Sequence, residues 1–276
     1  MIQRHARMVE YLNRLLIACI TITVMLFIPF SNAKESLPNA ILGAQVPLKG
    51  SELQYFQEDP TTAGYLSTPG GQPVRGGVIL IHEWDGLTER VKATADAFAD
   101  VGYVALAADL YQGQTGTSRA ENLELMETTR SNPERIIQNL NAALAAISEQ
   151  PGVNSQVATI GWCFGGGIAL SFALGGDHHA GTAIFYGRLL DDPERLGHLN
   201  HEVYGTFAGL DRGPSVNQVN AFVKALRDAG IPNDIHIYDE VQHGFWLHVD
   251  RDPARNRGPA EHAWHRLLAY LDRVLN

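Results

Sequence analysis

The stretch VATIGWCFGGGIALSFA, Val157 to Ala173, decides how the rest of the chain is read. Its first half is a continuous apolar run, the mark of a strand buried on both faces. Its second half starts a helix directly from Gly165, leaving Cys163 on the turn between them. Gly161, Cys163 and Gly165 make the pattern G-x-C-x-G, a nucleophile elbow with cysteine at its centre. Glycines on either side let strand and helix approach closely while the central residue takes a strained conformation. That posture lifts the thiol toward solvent and sets it at a helix N-terminus, where the dipole favours thiolate. The rival reading of a glycine-rich strand-to-helix turn is a phosphate loop. Neither G-x-x-x-x-G-K-[ST] nor G-x-G-x-x-G occurs here, so nucleotide binding is unsupported.

Outward from this turn, strands and helices alternate. SELQYFQ and AGYLSTP are short and mixed in polarity, as in an antiparallel opening hairpin. GGVILIHE (Gly76 to Glu83) and YVALAADL read as buried strands, with a helix over TERVKATADAFADVG between them. The region from Arg119 to Gln150 has helical spacing, and Pro133 marks a break between two helices. TAIFYG, VYGTFAGLD and NDIHIYDE are further strands. VNQVNAFVKALRDAG is an amphipathic helix closed by Gly230, and PAEHAWHRLLAYLDRVL is a C-terminal helix. The alternation predicts the α/β class: a mostly parallel central sheet with helices on both faces.

A thiol nucleophile needs a base, and the base an orienting acid, in the chain order nucleophile, acid, histidine for this architecture. Asp211 closes the TFAGLD segment and His243 lies a few residues past the next strand, both where that order demands. Asp109 also ends a strand but precedes the cysteine. His236 falls within a strand, and His262 and His265 fall on the last helix.

The 276 residues carry 30 acidic against 21 basic side chains, for a net charge of -9, which argues against a nucleic-acid partner. At the N-terminus, Arg4, Arg7 and Arg14 precede the 16-residue apolar run Leu15 to Phe30, and SNA ends at Ala33. This is the layout of a secretory signal peptide, shorter than the roughly 20 residues a spanning helix needs. Residues 1–33 are therefore expected to direct export to the periplasm or beyond, with 34–276 as a single domain; retention as an anchor through residues 15–30 is the alternative. Removal of 1–33 takes Cys19 with it, so Cys163 would stand alone and no internal disulfide could form.

The spaced segments GGVILIHEWDGLTERVKATADAFADVGYVALAADLY, VATIGWCFGGGIAL, AIFYGRL, GLDRGPSVNQVNAFVKALRDAGIP and IHIYDEVQHGFW resemble, in order, the dienelactone hydrolase family of α/β-hydrolases. The resemblance implies a Cys163–Asp211–His243 triad acting on an ester or lactone of a small molecule, in the manner of a carboxymethylenebutenolidase. It implies that Glu83, in LIHEWDG, holds the resting thiol neutral through a hydrogen bond. The fold assigns the oxyanion hole to the backbone N–H groups of Phe164 and Trp84. Tyr186, Arg188 and Trp246 are expected at the pocket. No cofactor or metal is implied, and the chain is expected to act as a monomer without stable membrane association once processed. The chain departs from the family at the arginine that follows the histidine by four: Leu247 stands there, with His248 next and Arg251 out of register. Arg119 and Arg130 are both candidates for a second anchoring arginine. A non-catalytic binding protein of the same fold, a thiol redox sensor, and a thioesterase or peptidase are the competing readings.

Overall fold

The computed structural model describes residues 36–154 and 156–275. The proposed signal segment and Cys19 lie outside the described residues. Eight strands form one sheet: β1 (Ser51–Leu53), β2 (Gly64–Ser67), β3 (Gly77–Ile81), β4 (Val104–Ala108), β5 (Val157–Trp162), β6 (Gly181–Phe185), β7 (Val203–Ala208) and β8 (Asn233–Tyr238). Their spatial order is β1-β2-β4-β3-β5-β6-β7-β8. β3 to β8 run parallel, while β1 pairs with β2, and β2 with β4, antiparallel.

The helices are α1 (Glu89–Asp100), α2 (Arg119–Arg130), α3 (Pro133–Ser148), α4 (Phe164–Gly175), α5 (Pro193–Leu196), α6 (Val216–Asp228) and α7 (Pro253–Leu275). The period-2 alternation of the strands divides the core into layers. Val78 and Leu80 of β3 face α1 and α7, joining Val91, Phe98, Trp264 and Leu271. Ile79 and Ile81 point the other way, onto α3 and α4 beside Leu140, Ile147, Ile168 and Phe172. Both faces are covered, so every residue of β3 to β7 is buried. Each fully buried Val, Leu or Ile here contributes on the order of 1.5–3 kcal/mol. β8 forms the sheet edge, and all but its last residue are half-buried.

The expected break at Pro133 is present. Pro133 opens α3 at its first turn, where a missing N–H costs nothing, and the Asn132 side chain accepts from the Arg135 N–H at 3.1 Å. Two departures from the sequence reading concern helix extent. α7 starts at Pro253, with Pro259 inside it, so the residue expected to begin the helix sits in its second turn. The short α5 was not anticipated; its start is capped by the Asp192 carboxylate, which accepts from the Glu194 and Arg195 N–H groups.

The connectivity reverses at β3: the chain moves outward to β4, then returns to place β5 on the other side. In an open parallel sheet, such a switch leaves a crevice beyond the carboxyl ends of the two central strands. Glu83 follows β3 and Cys163 follows β5, so both stand at that crevice.

Candidate functional site

Cys163 is the N-cap residue of α4 and has φ 53° and ψ −114°, a region that side chains rarely adopt. The backbone around it leaves no alternative. A Cβ on Gly161 would lie 2.1 Å from the Gly165 carbonyl oxygen, and one on Gly165 would lie 2.2 Å from that of Ile81. Strand, turn and helix therefore nest main chain against main chain, as the elbow pattern required. The Cys163 N–H donates to the Phe185 carbonyl at 3.0 Å, which ties the turn to β6. Its thiol is half-buried.

β7 ends three residues before Asp211, at Ala208, and the chain then turns, with the Asp211 N–H donating to the Ala208 carbonyl. His243 lies in the loop that follows β8, and its Nδ1 is 2.6 Å from Asp211 Oδ2. Burial opposes a charge on His243, but the hydrogen bond with Asp211 and the neighbouring Cys163 push its pKa up to about 10. The three residues that the sequence placed in order thus come together, with the imidazole between a carboxylate and a thiol.

Of the two backbone N–H groups assigned to an oxyanion hole, that of Phe164 is on the first residue of α4, a residue that lines the cavity over Cys163, while that of Trp84 is in the loop after β3 and Trp84 is not among the residues lining that cavity. Neither the Phe164 nor the Trp84 N–H donates to another group among the described residues. The Trp84 carbonyl accepts from the Tyr111 hydroxyl at 3.2 Å, which holds that loop in place.

Glu83 departs from expectation. Its carboxylate is not bonded to the Cys163 thiol; Oε2 lies 2.6 Å from Nε2 of His248. Both side chains are largely buried. Leu247, at the position where the family carries arginine, is turned into the core, and His248 is turned toward Glu83 instead. Asp85 adjoins this pair, and its pKa is raised by burial and then by the charge of Glu83.

Tyr186 sits just past β6 with φ 39° and is buried. Its ring centroid is 4.9 Å from that of His243, and its hydroxyl accepts from the Leu247 N–H at 3.3 Å. Burial first, then the charge of Glu83, keeps its hydroxyl protonated. Trp246 is not a pocket residue. It is fully buried, stacked on Trp162 at 5.5 Å and close to Phe185 at 4.7 Å. The turns after β8 point its large side chain inward, with Phe245 and Leu247 buried on either side, and area burial outweighs any rim position.

A cavity of about 550 Å³ opens over the thiol, lined by Cys163, His243, Tyr186, Arg188, Met126 and Arg130 among others. Arg188 and Arg130 are both exposed, and the Arg130 guanidinium lies 5.2 Å above the Phe164 ring. Of the two candidate anchoring arginines, Arg130 reaches the cavity, while Arg119 lies over the Trp84 ring. Sequence reasoning missed His248 as the partner of Glu83. It also missed the cavity wall made by Pro214, Asn217 and Gln218, where the loop after β7 enters α6. The departure from arginine beside His248 was the one available signal for the former, and nothing in the spacing marked the latter.

The family model for the dienelactone hydrolase family matches residues 62–275. Two relatives bear the name "Putative carboxymethylenebutenolidase". The one from Methylorubrum extorquens is 28% identical over 225 residues, covering 75% of this chain and 77% of that protein. The one from Saccharolobus solfataricus is 27% identical over 263 residues, covering 81% of this chain and 98% of that protein. A crystal structure of a dienelactone hydrolase-like promiscuous phosphotriesterase from metagenomic libraries superposes with a TM-score of 0.72 at 20% identity, over 84% of this chain and all of that one. That likeness concerns the fold. With the family pattern running through nearly all of the sheet and its helices, the chain belongs to the dienelactone hydrolase family and is a hydrolase of that type.

Proposed function

We propose that this hydrolase cleaves carboxylic esters or lactones of a small molecule through Cys163, with His243 as proton carrier and Asp211 as its orienting acid. The observation that carries the reading is the joint one at the elbow. A cysteine is held at φ 53° on a helix N-terminus, beside an imidazole that a carboxylate grips at 2.6 Å. The raised pKa of His243 supports an imidazolium in the resting site, so Cys163 attacks as the thiolate.

In the first half-reaction the sulfur forms a bond to the carbonyl carbon, and the π electrons move to oxygen. The Phe164 and Trp84 N–H groups meet that oxyanion. Collapse expels the alkoxide, which takes the proton from His243 Nε2, and leaves a thioester. His243, now neutral, removes a proton from water, and the resulting hydroxide attacks the thioester carbon. The sulfur departs as thiolate, the acid is released, and His243 keeps the proton for the next cycle. Asp211 fixes the tautomer with Nδ1–H toward itself throughout. In this scheme Glu83 shapes the field behind the thiol while bonded to His248. We further infer that the segment ending at Ala33 carries the enzyme out of the cytoplasm; mass spectrometry of the N-terminus of the native protein tests that.

The central test is turnover of 4-nitrophenyl acetate by the protein and by Cys163→Ala. Turnover that vanishes in the variant, with burst release of one equivalent of nitrophenolate in the parent, supports the thiol hydrolase. Turnover that persists in Cys163→Ala overturns it.

A further inference from the structure

At the amino ends of the parallel strands, away from the crevice, two loops bring imidazoles together: His178 and His179 precede β6, and His201 precedes β7. His179 is 2% exposed and stacks on Phe172 of α4 at 4.9 Å, and its ring centroid lies 4.8 Å from that of the half-buried His201. Between the two rings stands the buried hydroxyl of Thr182, 3.0 Å from His179 Nε2 and 2.8 Å from His201 Nε2. Thr159, its register partner on β5, brings a second buried hydroxyl 3.4 Å from His179 Nε2. The other ring nitrogens fix the tautomers. His179 Nδ1 faces the Asp177 carbonyl at 3.0 Å, and His201 Nδ1 faces the Asn200 side-chain carbonyl at 2.9 Å. A carbonyl only accepts, so both Nδ1 atoms carry the proton and both Nε2 atoms present lone pairs. Two hydroxyl protons then meet two lone pairs, and the neutral pair is satisfied.

One more proton would put a charge among groups that do not answer it. β5 and β6 offer the two hydroxyls, α4 the Phe172 ring, and α3 the Asn141 side chain, which accepts from the Asp177 N–H at 2.8 Å. From α7, the Tyr270 hydroxyl accepts from the Thr182 N–H and donates to the Glu202 carbonyl, while Arg273 holds the Glu202 carboxylate at 2.7 Å. The Asp177 side chain is exposed, and His178, joined to Asn200 at 2.7 Å, brings a like charge when protonated. Unlike His243 and His248, neither imidazole is paired with a carboxylate among the described residues. Burial, and after it repulsion from His179 and His178, holds the pKa of His201 down at about 3, and burial lowers that of His179 as well.

We propose that His179 and His201 form an acid-release catch at the foot of the elbow. A proton on either imidazole loosens residues 176–180 and the start of β6 ahead of the rest of the sheet. These segments steady the site from below: α4 ends at Gly175, and the far end of β6 clamps the Cys163 N–H through the Phe185 carbonyl. The catch belongs to the fold and is independent of the reaction at Cys163. The open loop takes up protons at the ordinary histidine value of 6.5, while the closed one refuses them. Closure is therefore fully favoured above that value and weakens progressively as the pH falls toward about 3.

Native-state hydrogen exchange of the full chain at pH 7 and pH 4.5, read as protection factors, tests this. The reporters are the Ala180 and Thr182 amides, which donate to the Val157 carbonyl and the Tyr270 hydroxyl at 2.7 Å each, with the amides of β3 as reference. Between the two pH values, protection at the reporters should fall about 10- to 100-fold more than in β3. His179→Gln and His201→Gln keep a hydrogen-bonding side chain that takes no proton, and each should shrink that acid loss at least about fivefold. The loss is a ratio within each protein, so a lower stability at pH 7 does not decide the result. Nitrogen NMR of the parent's imidazoles supplies a measurement that needs no variant. Both rings should show the Nδ1–H tautomer at pH 7 and stay neutral down to about pH 5. Equal acid loss at the reporters and in β3, unchanged loss in both glutamine variants, or either ring titrating near its ordinary value in the folded protein overturns the proposal.

Discussion

The pairing of Glu83 with His248 yields a sharp test of how this family member handles a charge behind its thiol. Glu83 is 5% exposed and bonded at 2.6 Å, with Asp85 and the Tyr186 ring close enough to feel its charge. His248→Ala removes its bonded partner. A hydrogen bond to a charged group contributes about 1.5–3 kcal/mol, and removing one side of a buried pair costs about 3–5 kcal/mol because the survivor remains desolvated. The imidazole leaves a space that water can enter, so the loss should fall toward the low end, at about 2–4 kcal/mol. Glu83→Gln keeps the shape and removes the charge, so the neutral amide should tolerate His248→Ala far better than the carboxylate does. The assay is a double-mutant cycle by urea unfolding at pH 7, reading midpoints with the slope held common. A coupling energy of at least about 1.5 kcal/mol is expected. Single-variant losses that add to within about 0.5 kcal/mol would show that the 2.6 Å contact holds nothing together.

Gly165→Ala places a methyl group 2.2 Å from the Ile81 carbonyl. With only backbone to yield, ester turnover should fall about 100-fold, as an ångström of misplacement at the nucleophile does, and a variant within threefold of the parent would contradict the nesting. Asp211→Asn removes the largest contribution raising the pKa of His243, whose value of about 10 means the imidazolium persists until the pH rises through that value. With an alkyl ester, whose leaving group needs that proton, the alkaline limb of kcat should move down by about 1–3 pH units, an unmoved limb refuting the assignment. Cys163→Gly relieves the positive φ, worth about 1–3 kcal/mol, against an added chain-entropy cost of about 0.5–1 kcal/mol. The net should be a higher Tm in an inactive protein; a lower Tm would mean the turn is not strained.

Much of the fold was legible because a parallel sheet covered on both faces writes itself as runs such as Val78 to Ile81, with no polar residue to interrupt them. The elbow was legible for a steric reason: Gly161 and Gly165 are the residues whose side chains would strike backbone. Asp211 and His243 followed from chain order. What escaped lay in the loop after β8, where periodicity stops and side-chain direction depends on each turn. There Trp246 and Leu247 rotate into the core and His248 rotates to Glu83. No spacing rule separates these three neighbours, because inward and outward are set by the particular turns from Gly244 to Val249. Pro259 misled for a related reason: it is compatible with a helix start, yet the helix begins at Pro253 and already buries Asn256 before Pro259 is reached.

The two strained side-chain-bearing residues at strand ends, Cys163 after β5 and Tyr186 after β6, are neighbours across the sheet. Each is clamped by the next strand over. The Cys163 N–H donates to the Phe185 carbonyl, and the Tyr186 N–H donates to the Thr206 carbonyl at 2.9 Å. The parallel register thus carries the cost of one unfavourable backbone into the next strand, whose own end is fixed in turn by β7. Strain of this kind survives only where surrounding structure over-determines it. Here the determinants are the buried strands themselves rather than the loops around them. That division explains how one sheet can keep a thiol aimed at the crevice while the arginine beyond the histidine gives way to leucine and histidine. The nucleophile's position depends on the ladder, and the partner of Glu83 depends only on a loop.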